Sequence, residues 1–169
     1  MVMLNDLRYI NKKYRQIERI LKTHYNDLYS NETVIGRWLR SKSTVIKIND
    51  NLFVHGGISS KFIESGFNLD AINQTMRRSL LEDNTDKKWD SIYRKYYDRN
   101  GPIWYRGYFG DDLKDQQVTK LLKITEVKHI VVGHTSQKQV ETLFKNKIFA
   151  VDTSIKKGVS GQLLFYRKQ

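Results

Sequence analysis

Two histidines stand where an apolar run stops. In "NLFVHGGIS" (Asn51 to Ser59), Leu-Phe-Val leads into His55, two glycines and a small polar tail. "HIVVGHTSQ" (His129 to Gln137) repeats the design around His134. Neutral imidazole is the commonest metal ligand among side chains. The two lie about 80 residues apart, too far to meet through local helix geometry, so a fold must bring them together. Glycine beside each would let backbone or a ligand approach closely. On these residues alone the plainer alternative stays open: each histidine could simply satisfy a turn.

Two further groups could join them. Asp152 follows "FAV" just as His55 follows "LFV", and polar groups at strand ends converge in the crevice of an α/β sheet. Its carboxylate equally suits an Asx turn over "TSI", and that is the role expected for it. Arg106, in "WYRGY", lies in the densest glycine and aromatic loop of the chain. A guanidinium held flat between aromatic residues offers a fork that matches phosphate oxygens.

The elements that must position these groups follow from periodicity. Apolar residues at three- and four-residue steps (Leu7, Ile10, Tyr14, Ile17, Leu21, Tyr25, Leu28) predict a helix over 5–29, and another covers 33–41. "TVIKI" and "NLFVH" flank Asn49-Asp50 and read as a hairpin. Helices are expected over 68–82 and 86–97, the second with Trp89, Ile92, Tyr93 and Tyr96 as a core-facing stripe. Residues 100–112 form a loop with the single proline; a helix over 113–125, strand "HIVVG" and a short helix over 138–144 follow. "KIFAVD" and "GQLLFYR" read as two antiparallel strands around a polar loop. Strands and helices mix without regular alternation, which predicts an α/β or α+β fold with a mixed sheet.

Composition narrows the classes. The 169 residues suit one domain with a real core, and 39% hydrophobic content excludes a disordered chain. Without cysteine there are neither disulfides nor thiolate metal sites. No run approaches the roughly 18 apolar residues of a membrane span, and the first residues lack a signal-peptide core; a cytoplasmic protein with no membrane partner is expected. The net charge of +12 invites a nucleic-acid reading. That charge is spread, however: +5 over residues 1–50, +2 over 51–110 and +5 over 111–169. Lysines alternating with apolar residues describe solvated faces, so no specific nucleic-acid partner is expected.

Taken in order, "VHGGIS", "GPIWYRGYF", "IVVGHTSQ" and "AVDTS" resemble the phosphoprotein-phosphatase-like branch of the calcineurin-like metallophosphoesterases, in particular the bacterial Shewanella-like phosphatases. "RYINKKY" and "IGRWLRSKSTVIKINDNLFVHGGIS" extend the resemblance over nearly the whole chain. It implies a β-sandwich flanked by helices and a metal-dependent phosphoester hydrolase, of serine/threonine phosphoprotein phosphatase type, acting on a phosphoprotein or small phosphoester. It implies His55 and His134 as ligands of one ion and Arg106 as the contact to substrate phosphate. Two divalent ions (manganese, iron or zinc) about 3.5–4 Å apart would activate a shared water for in-line attack.

The family's GDxHG, GDxxDRG and GNHE blocks, which supply the remaining ligands and the general acid, are absent from these residues. Residues 1–169 are therefore expected to represent the C-terminal half of such a domain, a partial catalytic domain lacking its N-terminal metal-binding half. Alone, the chain is expected to offer at most one weak metal site and to be inactive. A non-catalytic remnant of the fold is the alternative, and a basic nucleic-acid-binding module the third.

Overall fold

The computed structural model describes residues 11–79, 91, 93–165 and 167. Trp89, Ile92 and the start of the helix expected over 5–29 lie outside the described residues.

The β-branched runs form the expected hairpin: β1 (Val45–Ile48) pairs antiparallel with β2 (Asn51–Val54). Asn49 turns the chain at φ 52, a left-handed value that asparagine tolerates better than most residues. Three more strands follow: β3 (His129–Val132), β4 (Glu141–Leu143) and β5 (Ile148–Ala150). They assemble one five-stranded sheet in the order β1-β2-β3-β5-β4. The pairs β2–β3 and β3–β5 are parallel, while β1 and β4 close the edges antiparallel. This is the mixed α/β arrangement expected, and among the described residues it holds one sheet.

Helices α1 (Lys12–Leu21) and α2 (Val34–Ser41) precede the sheet; α3 (Leu69–Ser79) and α4 (Asp115–Thr125) follow the hairpin. The first two starts have a local cause. Asn11 accepts from the Lys13 amide at 3.0 Å and Thr33 from the Gly36 amide at 3.0 Å, the side-chain caps that orphan helix N–H groups need. The first helix is shorter than its apolar spacing predicts. It stops where Lys22 turns left-handed, and a separate 3₁₀ turn, Tyr25–Tyr29, carries the later aromatic residues. Residues Tyr93–Tyr97 form a π-helical turn, with Tyr96 buried.

One face of the sheet carries the core. Val45, Leu52, Ile130 and Ile148 are fully buried there and cluster with Ile72 and Met76 of α3 and Val118 and Leu121 of α4. Burying each such side chain is worth about 1.5–3 kcal/mol. Asn73 ties α3 to the sheet edge. Its Oδ1 accepts from the Thr44 and Val45 amides and its Nδ2 donates to the Val45 carbonyl.

Two expectations at the C-terminal end are corrected. Residues 141–143 of the expected 138–144 helix form strand β4, because Phe144, Lys145 and Asn146 take φ values of 51, 55 and 65 and reverse the chain into a hairpin with β5. β4 thus takes the place beside β5, and the described residues of "GQLLFYR" run outside the sheet, tied to it where Gln162 Oε1 accepts from Val140 N at 2.7 Å, with Leu163 79% and Phe165 86% exposed. Among the described residues no helix is long and apolar enough to cross a membrane.

Candidate active site

Three parallel strands end side by side. His55 follows β2 directly, His134 lies two residues beyond β3, and Asp152 two beyond β5. Backbone bonds lock these exits together: Gly133 N donates to His55 O at 2.9 Å and Val151 N to Val132 O at 2.8 Å. Parallel pairing thus converts sequence separation into contact. His55 Nε2 lies 3.0 Å from His134 Nδ1, and the two rings sit 4.7 Å apart, edge to face.

His134 takes φ 62, in the left-handed region. A non-glycine residue held there is uncommon, and such strain gathers at functional sites. The clamp that holds it is visible. Gln137 N donates to Asp152 O at 2.7 Å, Ser136 Oγ to Asp152 Oδ2 at 3.0 Å, and Ser154 Oγ to Gln137 O at 3.0 Å. Asp152 Oδ1 also accepts from the Ser154 amide at 3.1 Å, so the expected Asx turn is present. The bond to Ser136 adds to it.

Arg106 arrives on the loop from Asn100 to Asp112. Its guanidinium carbon lies 5.8 Å from the Trp104 ring centroid, and Trp104 meets His134 edge to face at 5.0 Å. The loop is docked by the two glycines after His55. Gly56 N and Gly57 N donate to Pro102 O at 2.8 and 3.2 Å. A Cβ on Gly56 would stand 2.6 Å from the Ile103 carbonyl oxygen, and one on Gly57 2.6 Å from the Tyr108 ring. The glycines therefore admit the arginine loop rather than a ligand. Tyr108 finishes the joint, since its buried hydroxyl accepts from Ile58 N at 3.0 Å and donates to Ile58 O at 2.8 Å. Sequence reasoning missed Trp104, Ser136 and Tyr108; the pairing of "HGG" with an aromatic loop was the signal for the first and last.

The electrostatics favour neutral imidazoles. Burial holds His55 below the ordinary histidine pKa, with Asp152 pulling it up and Arg106 and Lys156 pushing it further down. Burial also lowers His134, aided by Arg106, His55 and Lys156 and opposed by Asp152. For Asp152 burial works upward, but the Ser154 amide, the Ser136 hydroxyl and Lys156 outweigh it and leave the carboxyl below its usual range. Neutral imidazole keeps a lone pair for a ligand or a proton.

Could these residues hold a metal? Two nitrogens on one ion of about 2.0–2.2 Å bond length sit roughly 3–4.5 Å apart, and the 3.0 Å pair falls at the tight end of that span. His134 Nε2 is buried without a hydrogen-bond partner. The donor set is two imidazoles and no more: among the described residues no group of three or more His, Cys, Asp or Glu is placed to hold an ion. The pair lies at an open strand mouth. Two clefts, of about 590 and 760 Å³, lie apart from it and are walled by Lys61, Glu64 and residues of α4 or the 91–100 segment.

The fold is one shared with phosphatases. A cold-active protein-tyrosine phosphatase of a psychrophilic Shewanella species is 45% identical at a TM-score of 0.85, over 95% of this chain and 49% of that one. A second structure of a cold-active protein tyrosine phosphatase is 45% identical at 0.84, over 95% and 48%. A point mutant of such an enzyme is 44% identical at 0.84, over 95% and 49%. The chain is thus similar to Shewanella phosphatases along nearly all its length and spans about half of theirs. No protein-family profile and no curated protein matches it.

Proposed function

We propose that this chain supplies one half of a phosphatase centre, in which His55 and His134 ligate a divalent cation and Arg106 grips the substrate phosphate. The observation that carries the reading is the 3.0 Å contact between two imidazoles at adjacent parallel strand ends, within the electrostatic reach of one arginine. The metallophosphoesterase type, of calcineurin-like character, belongs to this proposal and rests on the motifs and the donor set. Imidazole together with carboxylate ligation, as in the complete domain, suits manganese, iron or zinc. Such an ion, when bound, would act as a Lewis acid toward a phosphate oxygen and acidify a water.

The chain's own residues do the rest. His55 and His134 stay neutral, so their lone pairs remain available. Arg106, exposed and backed by Trp104, meets the equatorial oxygens, where fixed charge counts most as negative charge builds. The Asp152 clamp keeps the His134 turn in place. The related enzymes are named for phosphotyrosine, which leads this reading over the phosphoserine and phosphothreonine expected from the sequence.

The test is a chimera. Residues 1–169 replace the matched segment of the Shewanella enzyme, and hydrolysis of p-nitrophenyl phosphate and a phosphotyrosine peptide is measured with manganese. Turnover lost on His55→Ala supports the reading; a folded, inactive chimera opposes it. A non-catalytic remnant of the fold is the second reading, favoured by the missing third ligand among the described residues.

A further inference from the structure

A second cation reaches the strand mouth from another side than Arg106. The loop that carries Arg106 docks on the exit of β2, through the amides of Gly56 and Gly57. Lys156 follows β5, which lies across β3 from β2 in the sheet. His134, at the exit of β3, stands between the two approaches. Both imidazoles feel the charges of Arg106, Lys156 and Asp152.

The backbone under Lys156 is fixed while its ammonium is not. Lys156 sits in a 3₁₀ turn, Ile155–Lys157, bracketed by Ser154 and Gly158 at φ 62 and 76. Lys157 N donates to Ser154 O at 2.8 Å and Gly158 N to Ile155 O at 2.9 Å. The bond from Ser154 Oγ to Gln137 O ties this turn to the one that holds His134. The Lys156 ammonium itself stands 3.7 Å from Asp152 Oδ2, outside hydrogen-bond range, on a side chain 63% exposed. Asp152 does not depend on it, because its two oxygens already accept from the Ser154 amide and the Ser136 hydroxyl. An exposed ion pair this loose contributes little to stability, so an incoming anion displaces it at small cost.

Under the phosphatase reading, on which this inference rests, the fork of Arg106 is taken by the phosphate. A flexible ammonium is a point charge and suits a lone carboxylate. A peptide substrate brings such groups close, since its neighbouring residues follow about 3.8 Å apart along the chain. We propose that Lys156 is a specificity-determining residue: it binds a carboxylate next to the phosphorylated residue, so that the site selects acidic phosphopeptides.

The test compares two fluorescent peptides carrying a non-hydrolysable phosphonate analogue of phosphotyrosine, one flanked by glutamates and one by alanines. Their binding to residues 1–169 is measured by anisotropy with manganese present, because every group invoked lies on this chain. The acidic peptide should bind about threefold tighter or more, and the preference should shrink between about 0.05 and 0.5 M salt. Lys156→Glu should abolish or reverse it. Lys123→Glu, the same change of net charge on exposed α4 near the start of β3, should leave it in place. Equal binding of the two peptides, no binding of either, or a preference that survives Lys156→Glu overturns the proposal. So does an equal weakening of both peptides in Lys156→Glu, which would put the ammonium on the phosphate, or an equal loss in Lys123→Glu. The readout is a ratio of affinities and not turnover. An inactive chimera beside an intact, Lys156-dependent preference would count against the phosphatase reading alone, and an active chimera without the preference against this proposal alone.

Discussion

His55 Nε2 and His134 Nδ1 lie 3.0 Å apart although 79 positions separate them in the chain. The contact exists because β2 and β3 run parallel in register, Val54 beside Val132, so that both strands deliver their next polar residues to the same edge. Gly133, donating to the His55 carbonyl, fixes the spacing. Everything proposed about chemistry depends on this pair.

Acid should weaken the fold through the same pair. Burial holds both imidazoles below the ordinary value of 6.5, which the unfolded chain retains. As pH falls below that value the unfolded state takes up protons first, so the stability present above it is lost on the way down. The urea midpoint should be lower at about pH 5 than at about pH 7.5, and the gap should shrink in His55→Gln/His134→Gln. An unchanged gap would contradict the assignment of that pH dependence to these rings.

Tyr108 should matter more than a loop tyrosine ordinarily does. Its hydroxyl joins both backbone groups of Ile58, and burial drives its pKa upward. Tyr108→Phe leaves two buried backbone groups unpaired, at a cost of about 1–3 kcal/mol. Urea unfolding measures it, and a loss below about 0.5 kcal/mol would show that water replaces the hydroxyl.

Arg106 should act on turnover and not on folding. In the chimera, Arg106→Ala should slow p-nitrophenyl phosphate hydrolysis by about 10²–10³-fold, the usual cost of one lost charge clamp. Its exposed guanidinium leaves the urea midpoint where it was. An unaltered rate would leave the Trp104–Arg106 loop a structural role only.

Much of the candidate site is legible in the sequence. A short β-branched run that ends in histidine reads the same way at His55 and His134, and parallel strand ends converge by geometry. The Asx turn of Asp152 was readable too, since it is a two-residue local bond. Long-range packing was not. Gly56 and Gly57 suggested room for a ligand or for backbone, and only the position of Pro102 and Tyr108 decides it for the loop. The residues of β4 look helical in the sequence because three residues at an edge carry too little periodicity to outvote their neighbours; the left-handed values at Phe144, Lys145 and Asn146 settle it. "LLFY" predicts a strand from its apolar content, yet β4 holds the place beside β5.

The central claim is that His55 and His134 form a ligand pair, and metal uptake tests it most directly. Manganese is titrated by calorimetry into residues 1–169 and into His55→Ala/His134→Ala, with circular dichroism to confirm that both are folded. The account predicts one weakly held ion per chain, with affinity falling on the order of tenfold or more in the double variant, since even outer-shell losses cost that much. No uptake by the unaltered chain, or equal uptake by both proteins, would contradict it.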